Sequence, residues 1–238
     1  MGLITERGSA ADGYEAVPVP LASGEATGAM LHRRSALPSR RSVLYLHCRP
    51  GTFVPEDLAG WYTERGFHFY VADLRPQEGQ RADRRQAARF ARLDTACRFL
   101  REAEGHDMII LTAGAADAAT AAQWCDARRE AGGPDALILS SPVFGRRLRD
   151  LDIACPVLVL SPAGGRPGGR HRPRRAKDPG AVKLGPHVTW LRLDSGLDGQ
   201  AGDGGQAPGA NADRRQFFDE MGRWLGAYMY GGVRDQLL

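Results

Sequence analysis

The sequence predicts an α/β domain built on a mostly parallel central sheet of about seven or eight strands, with helices on both faces. Three observations point there. Short apolar runs alternate with longer helical patterns from about residue 14 to about residue 228. The inner runs SVLYLH at 42–47, MIILT at 108–112, ALILS at 136–140 and PVLVL at 156–160 are continuously apolar, as strands buried on both faces must be. At 238 residues, with 42% hydrophobic and 25% charged side chains, the chain suits a single domain, residues 1–238, rather than a disordered polymer.

The elements follow in order. Residues 14–21 and 29–33 form a first pair of strands, divided by the turn residues Ser23 and Gly24. Residues 42–47 make the next strand. A helix then runs from about Pro55 to Arg65, with proline at its start and Gly66 after its end. FHFYVADL at 67–74 is a strand, and residues 81–104 form a long helix with Ala88, Ala91, Cys97 and Leu100 as its apolar stripe and arginines opposite. Strand 108–112 leads through a small-residue turn into a helix ending near Arg129. Strands 136–140, 156–160 and 188–193 follow. The helix from about Asp213 to Tyr230 closes the pattern, with Phe217, Met221, Trp224, Leu225 and Tyr228 on one face. Residues 1–13 are expected to be flexible, and 161–185 and 196–211, rich in Gly, to form long loops.

Composition narrows the function classes. Of 32 basic side chains all but Lys177 and Lys183 are arginine, yet the net charge is only +4, too little by itself to argue for nucleic acid. No run reaches the roughly 18 apolar residues of a membrane helix, and the acidic N-terminus lacks a secretory apolar core, so the expectation is a cytoplasmic protein. Cys48, Cys97, Cys125 and Cys155 show no CxxC spacing and read as isolated thiols, with neither a disulfide frame nor a metal site. The run Arg166 to Lys177 is basic but lacks aromatic residues to stack bases, and reads as a solvated loop. The glycine-rich fragment at 163–169 opens no helix, which excludes a dinucleotide loop. No cofactor is expected.

Four segments carry a resemblance: SVLYLHCRPGTF at 42–53, FHFYVADLR at 67–75, MIILTAGAADAATAAQW at 108–124, and HVTWLRLDSGLDG at 187–199 followed by FFDEMGRWLGAY at 217–228. They resemble the α/β-hydrolase superfamily, in particular lysophospholipase or monoacylglycerol-lipase-like serine hydrolases. The resemblance implies a nucleophile elbow, Gly-x-Ser-x-Gly, after the strand ending near Thr112. Here that turn reads Ala113-Gly114-Ala115-Ala116-Asp117. Ala115 stands at the serine position and has no nucleophilic atom, and Asp117 replaces the second glycine. Thr112, within the strand, is the nearest hydroxyl.

The family's histidine follows the last strand, and the matching position holds Asp198. A carboxylate with a reference pKa of about 3.9 is a poor base for an alcohol. The family's acid maps to the loop after PVLVL, where Asp178 is the remnant. A lid would lie between the strands at 136–140 and 156–160, but only the fifteen residues SPVFGRRLRDLDIAC separate them, so the cap is expected to be absent. His47-Cys48 fills the His-Gly position beside the oxyanion hole.

Other candidate actors stand beside these positions. Cys48 could serve as a relocated nucleophile assisted by His47 or Asp198; the plainer reading is a small buried hydrophobe at a strand end. Asp117 and Asp198 could pair as carboxylates over the vacated site; the plainer reading is two solvated turn aspartates. Ser140 and Ser141, after ALILS, are the hydroxyls to watch for a displaced nucleophile. The resemblance therefore implies a pseudo-hydrolase with a degenerate triad, kept to bind a small hydrophobic or acyl-type metabolite or a protein partner. Two alternatives stand beside it. One is a non-hydrolytic enzyme (cyclase, lyase or isomerase) of secondary metabolism. The other is a weak carboxylic-ester hydrolase.

Overall fold

The computed structural model describes residues 13–20, 27–47, 56–74, 82–115, 117–145, 148, 150–162, 176–177, 182–193 and 210–231. The apolar runs assemble into one eight-stranded sheet of order β1-β2-β4-β3-β5-β6-β8-β10. Its strands are β1 (Glu15–Pro20), β2 (Thr27–Arg33), β3 (Arg41–His47), β4 (Phe67–Asp73), β5 (Met108–Gly114), β6 (Ala136–Ser140), β8 (Val157–Pro162) and β10 (Val188–Leu193). β2 pairs antiparallel with β1 and β4, and every other pairing is parallel. A separate two-stranded ribbon joins β7 (Phe144–Gly145) to β9 (Ala176–Lys177).

Side chains alternate between the two faces of the sheet. Ile109, Leu111 and Ala113 of β5, with Leu137 and Leu139 of β6, point to the face covered by α2 (Ala82–Glu102) and α3 (Asp117–Ala127). Ile110, Ile138, Leu158 and Leu160 point to the other, covered by α1 (Glu56–Glu64) and α4 (Ala210–Gly231). Small residues bring α3 close: Ala118, Ala121 and Ala122 are fully buried, with Trp124 wedged beside them. The Trp124 indole N–H donates to Asp94 Oδ1 at 2.9 Å, and Arg128 grips both Asp94 oxygens at 2.7 Å. That fork fastens α3 to α2 and holds the Asp94 carboxyl below its ordinary range.

Several expectations need correction. On α2 the buried stripe is Leu93, Ala96, Cys97 and Leu100; Ala91 is exposed, because the sheet contact turns that helix away from the small alanines. The interval 161–185 is not all loop: β8 extends into it, β9 forms inside it and Val182 and Leu184 are buried. α4 likewise begins within 196–211. The thiols of Cys97, Cys125 and Cys155 are free, but Cys125 and Cys155 are not isolated, since they form a side-chain hydrogen bond. Residues 1–12, the Ser23-Gly24 turn and most of the basic run from Arg166 lie outside the described residues. Between β6 and β8 the described residues hold β7 and no helix. No helix among the described residues is long and apolar enough to cross a membrane.

The N-terminal ends of β4 and β5 carry a polar cluster that the sequence does not announce. His32 and His106 are buried; His32 stacks on Tyr70 at 4.1 Å and its Nε2 lies 3.3 Å from His68 Nδ1. The Tyr70 hydroxyl donates to Glu104 at 3.1 Å and meets His106 Nε2 at 3.0 Å. That contact serves His106 Nε2, and the other ring nitrogen, Nδ1, is buried as well. Burial lowers the pKa of His32 to about 3 and of His106 to about 4, from 6.5, and depresses that of His68.

These depressed values have a defined consequence. The unfolded chain protonates these imidazoles before the folded one does, so their contribution is intact above about pH 6.5 and declines as pH falls toward 4. Urea unfolding midpoints should therefore drop across that window. His32→Phe, which keeps the stack on Tyr70 without a titrating ring, should flatten the drop. An unchanged slope in the variant would show that other groups cause the acid sensitivity.

Candidate active site

Parallel strands gather their C-terminal ends at one edge of the sheet, where a turn into a following helix can present a side chain to a cleft. β5 ends at Gly114 and α3 begins at Asp117, leaving two residues to reverse the chain. Ala115 achieves this with φ +47°, the left-handed region that L-residues other than glycine seldom enter. Two backbone bonds hold it there. Its N–H donates to Ser140 O at 3.0 Å, and its carbonyl accepts from Val143 N at 2.9 Å. Gly114 completes the fit, since a Cβ there would lie 3.0 Å from Ser140 Oγ. The Ala115 methyl group is exposed at the tip of this turn. The geometry is that of a tight, strained strand-to-helix turn with Ala115 at its tip.

A second strained residue stands beside it. Ser141, just past β6, has φ +44° and donates its N–H to Leu160 O at 2.7 Å. Its hydroxyl is buried and lacks a hydrogen-bond partner. The sequence offers no signal for this, because serine has no preference for the left-handed region that glycine or asparagine would have advertised. Thr112, the other nearby hydroxyl, is spoken for: it is buried at 2% exposure and lies 3.4 Å from the Tyr62 hydroxyl, which also donates to Met221 Sδ at 3.3 Å. Burial raises the Tyr62 pKa. Thr112 thus belongs to the core beneath α1.

The remaining sequence-derived positions separate into three kinds. Asp117 opens α3 and is half-buried; a carboxylate in the first turn complements the positive end of the helix dipole and stabilises α3. His47 closes β3 opposite Asp73 of β4, and the pairing of Tyr45 with Thr112 sets the β3 end next to that of β5. Ala115, Asp117 and the backbone of His47 therefore share one edge. Cys48, Asp178 and Asp198 lie outside the described residues. A groove of about 520 Å³, lined among others by Asp150, Asp152, Lys183 and Trp190, sits toward the opposite, N-terminal edge. Val188 pairs with Val157 there, at the start of both strands, and the groove contains none of the sequence-derived site residues.

Sheet order, flanking helices and the strained turn after β5 together are those of the α/β-hydrolase fold. Solved structures agree. The esterase domain of a Rhodothermus marinus protein is similar at a TM-score of 0.56, with 14% identity over 89% of this chain and 97% of that one. An α/β-hydrolase enzyme from a Medee basin deep-sea metagenome library gives 0.57, 14% identity, and 90% and 97% coverage. An α/β serine hydrolase without a lid from Xanthomonas campestris gives 0.53 and 14% identity over 78% and 86%. No family model and no curated protein matches the sequence. The chain has the α/β-hydrolase fold.

The strain at Ala115 can be measured directly. Ala115→Gly removes the left-handed penalty while adding unfolded-state entropy, and the difference should raise stability by up to about 1 kcal/mol. A urea midpoint that falls instead would mean that the methyl group packs against a neighbour and stabilises the turn.

Proposed function

We propose that this chain is a single-domain, catalytically degenerate α/β-hydrolase homologue, retained to bind a ligand or a protein partner. One observation carries the reading: the residue that occupies the left-handed elbow position is Ala115, whose side chain has no atom able to attack an acyl carbon. The sequence adds Asp198 at the histidine position and Asp178 as a remnant acid with no imidazole to orient. Without a nucleophile and a base in register, no acyl-enzyme can form by the usual route. The ligand class this reading assigns is a small hydrophobic or acyl-type metabolite.

A second reading, weak carboxylic-ester hydrolysis, rests on Ser141. Its buried, unpartnered hydroxyl adjoins Ser140, whose carbonyl accepts the Ala115 N–H, and a stripped site can still accelerate hydrolysis about 10³- to 10⁴-fold over water through binding and oxyanion donors.

A fluorophosphonate serine probe separates the two. The expected outcome is no covalent adduct and background hydrolysis of p-nitrophenyl esters; stoichiometric labelling mapped to Ser141 would establish the second reading and sink the first. Restoration gives a further measurement. Ala115→Ser with Asp198→His should stay at background, because Asp117 and Cys48 replace the glycines of the elbow and of the oxyanion strand. Adding Asp117→Gly and Cys48→Gly tests that cause. If the double variant alone turned over short acyl esters well above its parent, the cleft would be intact and the remodelling argument wrong.

A further inference from the structure

Away from the elbow, at the opposite edge of the sheet, two of the four cysteines meet. Cys125 lies in the last turn of α3 and is buried; Cys155 lies just before β8 and is partly exposed. Their thiols share a hydrogen bond, and Cys97 of α2 lies near enough to Cys125 to act on it electrostatically. The two segments are tied together independently of sulfur. Asp126 Oδ1 accepts the Asp152 N–H at 2.7 Å, and Arg129 donates to Asp152 Oδ2 at 2.5 Å. From the other side Leu151 N–H donates to Lys183 O at 2.8 Å and Ile153 N–H to Leu184 O at 3.3 Å. Gly185, at φ +113°, presses so close that a Cβ would come within 2.5 Å of Ile153 O. Cys155 is thus held against α3.

We propose that Cys125 and Cys155 form a redox-responsive thiol pair, which a hydroperoxide oxidises to an intramolecular disulfide joining the end of α3 to the start of β8. The roles of the two sulfurs follow from their surroundings. The hydrogen bond from Cys125 holds the Cys155 pKa down, against the burial of Cys155 and, to a lesser extent, the charge of Asp135. Burial pushes Cys125 well up, so it remains a thiol until the second step, and burial likewise pushes Cys97 up to about 12. Cys155 is the more exposed and the more acidic of the pair, and it is the attacking group.

The Cys155 thiolate attacks the terminal oxygen of the hydroperoxide and the O–O bond breaks. A sulfenic acid forms on Cys155, and the leaving oxygen takes up a proton as water or an alcohol. The Cys125 sulfur then attacks the Cys155 sulfur, the S–O bond breaks, and the hydroxyl leaves as water with the Cys125 proton. With hydrogen peroxide, two thiols and one peroxide become one disulfide and two waters, two electrons passing from sulfur to oxygen.

The test uses the full chain with stoichiometric hydrogen peroxide, followed by thiol titration, intact mass and tryptic mapping without reductant. The three cysteines fall on separate tryptic peptides, so the linkage can be read directly. The expected result is loss of two free thiols, a single Cys125–Cys155 cross-link reversed by dithiothreitol, and unmodified Cys97. Cys155→Ser should leave Cys125 reduced, and Cys125→Ser should trap Cys155 as a sulfenic acid that dimedone labels. Three results would overturn the proposal: sulfinic Cys155 without a cross-link, a disulfide from Cys155 to Cys48 or to a second molecule, or no thiol loss in the folded protein.

Discussion

The parallel ladder between β5 and its neighbours is the constraint on which this molecule's site depends. It brings the last residue of β5 level with Ser140 of β6 and leaves two residues in which the chain must turn into α3. Ser140 and Val143 hold both polar groups of Ala115, and the backbone there adopts φ +47°. That strain persists because the surrounding sheet over-determines it. The turn is therefore a property of the backbone scaffold, set by its neighbours on β6 and beyond rather than by the Ala115 side chain.

The rest of the architecture keeps that ladder in place. Two apolar layers cover the sheet, and the helices that form them are bolted together near the edge away from the elbow. Asp135 illustrates this: one carboxylate oxygen accepts the Ile109 N–H and the Arg101 guanidinium, each at 2.6 Å, while its carbonyl accepts the Tyr228 hydroxyl at 2.8 Å. A single residue thus joins β5, α2 and α4. The histidine cluster, the Asp94–Arg128 fork and the Cys125–Cys155 contact belong to this same structural region. Polar capital is concentrated there, whereas the elbow holds an alanine, a half-buried aspartate and a buried serine hydroxyl.

This distribution separates stability from chemistry. In an α/β sheet, ligands meet the C-terminal edge of the strands, and substitutions there can remove activity while the opposite edge continues to hold the fold. The chain has both edges: its core alternation is regular, and the strained turn at Ala115 lies at the C-terminal one.

Sequence patterning alone determined the fold class, the order of strands and helices, and the place of the elbow. Those features rest on local periodicity and on Gly-, Pro- and Ala-rich turns, which a single stretch of chain encodes. The identity of the residue at that turn, Ala115, was equally legible, because residue type needs no geometry to be read. Tertiary structure decided the rest. It turned Ala91 outward, drew β9 and the buried Val182 and Leu184 from a stretch that reads as loop, placed Ser141 in the left-handed region, and stacked His32 on Tyr70. It also joined Cys125 to Cys155 across thirty residues of sequence. Each of these arises from contacts between segments distant in the chain, where burial and hydrogen bonding to a remote partner override local preference.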